Sequence, residues 1–521
     1  MRKSTRLKLA TFAFSTLAFA SCGKDQNPGD GAPVNTKQFL LPLGTVPQLD
    51  LVFMIDNSPS MAPKQEKLQA QFPKLIDALK NPGDGSLPDL RVAIIDSDLG
   101  TGGAYAGGPC GPKTLSDGTL SLYGDLGRFQ MLGGTACGVT DPTARWLEYR
   151  AGAPVNFAGD MNAVFSCLAG NLGTIGCGME QQLQSYVFAL AAKGLGNESQ
   201  QTMLRPGAYL GLVFLSDEDD CSASTNDGMY GSNPQLNGES ASLRCATRAH
   251  ACGGKKLTSS PPGYPTTAAF EAPFASCSAR TDACSNPTDG AGAKGTDTSG
   301  PTSCSPLRSI SKMASDMKKL KEYPGEQVLV SGIFGWPLSD ADMATATYKI
   351  GPVPNPNTMD TAHPTVFDYL PVCYDPNHPP TNPDPATGVD VEALGYGATG
   401  GLRMSAFVDE FGANGQKFSI CQPDFTAAMS QIGVTLSKKM RNQCVPTSYT
   451  QTPQCTASYE TPDGAAQAIP VCDATESVVP CYSLVSDQDL CPGDAYLVHL
   501  NRGTGATSQV PAGTWLVFSC P

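Results

Sequence analysis

The sequence predicts an α/β fold: a doubly wound, mostly parallel sheet flanked by helices, carrying long loop inserts and followed by a small disulfide-rich β module. Three observations predict it. Apolar runs such as Leu51-Val52-Phe53-Met54-Ile55 show no alternation, as suits strands covered on both faces. These runs alternate with segments of helical periodicity. Several of them break abruptly into carboxylates, and ligands of open parallel sheets bind beyond the carboxyl ends of the strands.

Taken in order, the first strand ends in Asp56-Asn57-Ser58-Pro59-Ser60. Residues 61–80 carry Leu68, Phe72, Leu75, Ile76 and Leu79 at helical spacing, with Pro73 as an expected kink or break. Leu90–Ile95 reads as a second buried strand leading into Asp96-Ser97-Asp98. Residues 99–155, rich in glycine, read as an insert of loops with an edge strand near 128–132. Helices are expected at 159–169 and 178–193, the latter from Met179, Leu183, Val187 and Leu190. Tyr209–Leu215 is a third strong strand, running into Ser216-Asp217-Glu218-Asp219-Asp220.

Residues 222–303 read as a low-complexity insert in which no packed structure is expected. A helix at 306–322, a strand at 328–334, a proline-rich insert at 337–400, a helix at 403–411, a strand near 417–420 and a helix at 423–440 complete the α/β domain, set at 48–443. Residues 444–521 hold six cysteines with strand-like runs at 495–500 and 514–519, which fits a small stapled β module.

The N-terminus places Arg2, Lys3, Arg6 and Lys8 before an apolar stretch from Leu9 to Ala20, then Ser21-Cys22. That is an export signal, too short for an ordinary membrane span. The Ala-Ser-Cys junction resembles a bacterial lipobox, which implies cleavage after residue 21 and acylation of Cys22; Phe19 stands where the family usually has leucine. Gly23-Lys24, rather than an acidic residue, implies by the same resemblance an outer-membrane lipoprotein, periplasmic or surface-exposed. Residues 22–47 are read as the lipidated cysteine and a flexible tether.

Composition agrees with export. Of 19 cysteines, setting Cys22 aside leaves an even number, as a disulfide framework requires. Cys167 and Cys177 bracket a short loop and are nominated as partners. Zinc ligation needs paired short spacings such as Cys-x-x-Cys, and none occurs. Without the signal the chain carries a net charge of about −17, which argues against nucleic-acid binding. There is no P-loop, no His-Glu-x-x-His and no Gly-x-Ser-x-Gly. The four histidines, His250, His363, His378 and His499, fall in inserts or the tail, so none is expected as a base near Asp56.

A hard divalent cation takes oxygen ligands. Asp56, Ser58, Ser60 and Asp217, with waters, could supply them, although each serine could equally cap the following helix. Asp96 and Asp98 are read as rim or turn residues, and Asp219, Asp220 and Asp227 as a solvated acidic loop rather than a Ca²⁺ site.

The arrangement resembles a von Willebrand factor A-type domain with a metal ion-dependent adhesion site. That family has Asp-x-Ser-x-Ser after the first strand, matched by Asp56, Ser58 and Ser60. It has a threonine in a later helix-preceding loop, for which Gly173-Thr174-Ile175-Gly176 nominates Thr174. It has Thr-Asp-Gly after the fourth strand, matched by Ser216-Asp217 with Glu218 in place of the glycine. The resemblance covers the strand and helix skeleton of 48–443 and not its inserts. It implies Mg²⁺, or Ca²⁺ or Mn²⁺, held directly or through water. It also implies a protein partner that presents an acidic side chain, with no catalysis. The combination of the lipobox, Gly176-Cys177-Gly178-Met179-Glu180-Gln181, Asp217-Glu218-Asp219-Asp220-Cys221-Ser222 and the cysteine-rich tail is similar to a group of myxobacteria-like surface lipoproteins. Two other readings stand beside adhesion: a metal-dependent hydrolase using Asp56, Asp217 and Asp219, and an envelope scaffold.

Overall fold

In the computed structural model the described residues are 37–42, 47–80, 85–103, 108–115, 117–223, 229–230, 240–257, 269–284, 304–355, 361, 364–385 and 387–441. Shorter stretches follow at 444–446, 456–460, 466–473, 475, 478–486, 495–501 and 515–520. The signal, Cys22, Asp227 and His363 lie outside them.

The central sheet has seven strands, labelled here with the helices between them: β1 (Gln48–Ile55), α1 (Ala62–Leu79), β2 (Asp89–Asp96), β3 (Leu147–Arg150), β4 (Ala153–Pro154), α2 (Met161–Gly170), α3 (Gln182–Leu190), β5 (Tyr209–Ser216), α4 (Ile310–Lys318), β6 (Val328–Phe334), α5 (Leu402–Asp409), β7 (Gly415–Ser419) and α6 (Thr426–Arg441). Spatial order is β7-β6-β5-β1-β2-β3-β4. The first five of these are parallel; β3 and β4 form an antiparallel edge. The chain therefore winds outward in both directions from β1, and the order reverses between β1 and β5. That reversal opens a crevice at the carboxyl ends of the two strands.

The unbroken apolar character of β1 follows from burial on both faces. Leu51, Phe53 and Ile55 pack with α1, α2 and α6, while Val52 and Met54 pack with α3, α4 and α5. On the first face Phe72 stacks on Phe165 with centroids 3.7 Å apart, and Phe53 lies 5.0 Å from Phe165. Helix α1 continues through Pro73 to Leu79 instead of breaking there. At the opposite end of β1, buried Asp50 accepts from Arg205 Nε at 2.8 Å and Lys321 Nζ at 3.3 Å.

Several expectations are corrected. The edge strand lies at 147–150, not near 128–132; residues 128–132 form no strand, although Gln130 N donates to Ile94 O of β2 at 2.7 Å. Residues 222–303 contain packed structure: a helix at Ala241–Ala249, strands at His250–Cys252 and Cys277–Ala279, and disulfides Cys221–Cys245, Cys252–Cys277 and Cys284–Cys304. Covalent closure of short loops offsets chain entropy that a low-complexity composition could not. Cys167 and Cys177 are not partners; Cys137–Cys167 and Cys110–Cys177 form instead, because α2 and the 99–115 segment bring those sulfurs together. Within the range read as tether, Lys37–Pro42 is a strand pairing antiparallel with Trp515–Cys520. The tail shows further strands at Cys444–Pro446, Thr456–Glu460, Ala466–Ile469, Cys481–Val485 and Ala495–Asn501, with Cys472–Cys481 bridged.

Candidate functional site at the carboxyl ends of β1 and β5

Register assembles this site. Ile55 pairs with Asp96 of β2 on one side and Leu215 of β5 on the other, so the next residues, Asp56, Ser97 and Ser216, face one another. Asp56 is fully buried. Its Oδ1 accepts from Ser58 N at 2.8 Å and Ser97 Oγ at 3.1 Å; its Oδ2 accepts from Ser216 Oγ at 2.6 Å. Burial, and then the nearby Asp217 charge, push its carboxyl up to about 6 despite these donors.

Ser58 precedes a single 3₁₀ turn, Pro59–Met61, that leads into α1, but its hydroxyl makes no capping bond. It lies 3.3 Å from Ser60 Oγ, and Ser60 Oγ donates to Asp217 Oδ1 at 3.1 Å. The two hydroxyls thus point toward the carboxylates and not into the helix terminus. Asp217 Oδ2 accepts from Lys64 Nζ at 2.7 Å, a buried ion pair. Lys64 also donates to Ser60 O at 3.1 Å and to Gly395 O at 2.6 Å. Thr399 N donates to Asp217 O at 2.9 Å, so residues from the proline-rich insert lie against this edge.

The 173–176 loop is tied to the Asp56 turn from both ends. Gln65 Nε2 bridges Asp56 O at 2.8 Å and Gly173 O at 3.1 Å, while Gly176 N donates to Asn57 O at 2.8 Å. Gly173 has φ +67°, a left-handed value suited to glycine, and a Cβ on Gly176 would sit 2.0 Å from Asn57 Oδ1. Thr174 itself is half-buried on this loop, and no hydrogen bond to its hydroxyl is found among the described residues. The structure therefore brings Asp56, Ser58, Ser60 and Asp217 together, with Thr174 beside them but unengaged.

Side chains that the motif did not assign complete the surroundings. Lys64, Gln65, Ser97, Ser216 and Gln182 hold the two aspartates, with Gln182 Nε2 donating to Ser216 Oγ at 2.8 Å. Glu180 is 1 % exposed, and its Oε1 has no hydrogen-bond partner among the described residues. Burial, followed by repulsion from Glu218, Asp56 and Asp217, holds its carboxyl well above the usual range. Glu218, half-buried, is raised in the same way by burial and then by Asp217. Asn57 Oδ1 is another buried acceptor without a partner among the described residues.

The acidic run after Asp217 is not the solvated loop expected. Asp219 accepts from Arg403 N and Met404 N at the start of α5, and from His250 Nε2 at 2.7 Å. Asp220 accepts from Arg403 Nε at 3.0 Å and Leu183 N at 3.0 Å. A histidine thus does reach this end of β5. His250 is fully buried, clamped between Asp219 and the Tyr348 hydroxyl. Asp96 and Asp98 are also buried, and Lys113 pairs with Asp98 at 3.3 Å and with Asp125 at 2.5 Å. Together with Asn57 and the exposed Ile175 they line a cleft of about 640 Å³ next to the Asp56 turn.

No protein-family profile matches this chain, and no curated protein matches it. Among solved structures, the pilus adhesin SpaC of Lactobacillus rhamnosus GG in its open conformation aligns over 93 % of this chain and 40 % of its own, with 10 % identity and a TM-score of 0.28. A second crystal form of SpaC gives 93 %, 41 %, 10 % and 0.27. A von Willebrand factor type A protein from Catenulispora acidiphila aligns over 93 % of this chain and 64 % of its own, with 8 % identity and a TM-score of 0.26. The chain thus spans about two fifths of the adhesin's length. The α/β assignment stands on the strand order and register described above.

Proposed function

We propose that this chain is an exported envelope protein whose von Willebrand factor A-like domain holds a divalent cation between β1 and β5 and uses it for non-catalytic binding of a partner protein. The observation that carries this reading is the convergence of Asp56, Ser58, Ser60 and Asp217 at the point where strand order reverses.

The donor set fits a hard cation. Four carboxylates, Asp56, Asp217, Glu180 and Glu218, repel one another here with one ammonium, Lys64, bonded to Asp217. Among the described residues no three His, Cys, Asp or Glu side chains are gathered closely enough to hold an ion by themselves; in this reading serine hydroxyls and water would share the coordination. Ser58 and Ser60 would bind the ion, with Asp56 and Asp217 acting directly or through water. A bound Mg²⁺, Ca²⁺ or Mn²⁺ supplies an electrophilic centre able to accept a carboxylate oxygen from a partner. The adjacent cleft and exposed Ile175 give that partner a place to lie.

A hydrolase reading would need Asp219 on the ion, but its oxygens are turned to the start of α5 and to His250. Attachment through a lipid on Cys22, at the outer membrane, belongs to the same proposal. No described helix is long and apolar enough to cross a membrane. Titrating Mg²⁺, Ca²⁺ and Mn²⁺ into the full chain and its Asp56→Ala form tests the central claim: the substitution is expected to abolish binding, and identical binding by both forms refutes it.

A further inference from the structure

The structure assigns to Glu180, and not to Thr174, the role of side-chain donor from the helix-preceding loop to the cation. This inference rests on the cation-site reading above and changes its chemistry, since a carboxylate then stands where a neutral hydroxyl was expected.

Position is the first argument. Helix α3 begins at Gln182, so Glu180 lies two residues before it, whereas Thr174 lies eight residues before it and on the far side of Cys177. The loop between them is fixed at its middle: Gly176 N is bonded to Asn57 O, and Cys177 is bridged to Cys110. Thr174 therefore sits on the outer part of the loop, half-buried, while the chain dives inward toward Glu180.

The second argument is what holds Glu180. Cys221 N donates to Glu180 O at 2.8 Å, joining this segment to the strand-end loop that carries Asp217. The next residue, Gln181, donates from its backbone to Ser97 O at 3.0 Å, and Ser97 in turn donates to Asp56. The residue after that, Gln182, donates to Ser216 Oγ, which donates to Asp56 Oδ2. Glu180 is thus anchored by its own backbone to the loop after β5, and by both following residues to the groups that hold Asp56.

The third argument is the unsatisfied atom. A buried carboxylate oxygen with no partner is costly, by about 1–3 kcal/mol or more. Yet among the described residues Glu180 Oε1 has none, the side chain's hydrogen bond is with Glu218, itself acidic, and the charges nearest to it are negative. A divalent cation at the Asp56 turn, met by Glu180 through water, relieves both penalties at once; among the described residues no three carboxylates are gathered closely enough to ligate one ion directly. A carboxylate at this position also cancels more of the ion's charge than a threonine would, which strengthens retention of the ion and tempers its pull on a partner's carboxylate.

The test is calorimetric titration of the full chain with Mg²⁺, Ca²⁺ and Mn²⁺, comparing wild type, Glu180→Gln, Thr174→Ala and Asp56→Ala, with thermal unfolding in chelator alongside. Glu180→Gln is expected to weaken binding about tenfold or more, by removing one of the negative charges facing the ion. Thr174→Ala is expected to change it by less than about threefold. In chelator, Glu180→Gln is expected to melt at or above the wild-type temperature, because it removes a repelled buried carboxyl. A loss below threefold for Glu180→Gln while Asp56→Ala abolishes binding overturns the assignment and leaves the site standing. So does a loss for Thr174→Ala as large as that for Glu180→Gln, or a lower melting temperature of Glu180→Gln in chelator, which marks a merely structural role. Unchanged binding by Asp56→Ala refutes the underlying site itself.

Discussion

Lys64 Nζ lies 2.7 Å from Asp217 Oδ2, with both side chains almost fully buried, so an internal ammonium already bonds one of the carboxylates that a divalent cation would use. The pair also reaches the insert through Gly395 O. Two positive charges at one carboxylate compete. Lys64→Met is therefore expected to raise Mg²⁺ or Ca²⁺ affinity about tenfold. It is also expected to destabilise the metal-free chain by about 3 kcal/mol, because Asp217 is left buried without its partner. Titration calorimetry and denaturant unfolding in chelator measure the two effects, and a fall in affinity contradicts the competition.

The raised carboxyl of Asp56, about 6, carries a pH dependence of definite sign. The folded chain holds that proton more tightly than the unfolded one. Its stabilising contribution is thus complete below about pH 4 and is lost as pH rises through about 6. In chelator, wild type and Asp56→Asn should differ least below pH 4, and the wild type should fall behind above pH 6. Cation affinity should run the other way, rising through pH 6 as Asp56 ionises. Affinity that is flat from pH 5 to 7 contradicts this.

Gly176 is expected to accept no side chain. A Cβ there would lie 2.0 Å from Asn57 Oδ1 and 3.0 Å from Asn57 O, so Gly176→Ala must push the loop off the Asp56 turn. Weakened cation binding with a retained overall fold is the expected result, read by calorimetry and circular dichroism together.

The Cys110–Cys177 bridge closes a loop of sequence separation 67 onto the segment leading to Glu180. Replacing both cysteines by serine should cost about 2–4 kcal/mol of stability. It should also weaken cation binding more than removal of Cys252–Cys277, which lies away from the site. Equal effects of the two removals on binding contradict a local role for the bridge.

Phe72 gives the contrasting case. It is fully buried and stacks on Phe165, on the α1 and α2 face of the sheet. Phe72→Ala is expected to cost about 3–5 kcal/mol through the cavity it leaves. Cation stoichiometry in the folded fraction should remain as in wild type, as denaturant unfolding and calorimetry can show.

Much of the sheet, and the polar turns that follow β1 and β5, were legible in the chain. Strands covered on both faces must be apolar without interruption, and β1, β2, β5 and β6 are read from that alone. Helix α1 and helix α6 follow from periodicity, since each buries one stripe. The edge strand was misplaced because β3, Leu147–Arg150, is half-exposed and flanked by loop residues, so no apolar run marks it. The cysteine-rich insert was read as unpacked because its order comes from cross-links and from contacts with Tyr348, Tyr369 and Leu402, all distant in sequence.

By itself the sequence determined that Asp56, Ser58 and Ser60 follow a buried strand and that Asp217 follows another, because strand burial and turn chemistry are local properties. Only the tertiary structure decided that these strands are neighbours, that Lys64 rather than solvent meets Asp217, and that Glu180 is buried where Thr174 is only half-buried. Those facts depend on strand register and on where a disulfide pins a loop. Neither leaves a periodic trace along the chain, since each is settled by which distant segments pack together.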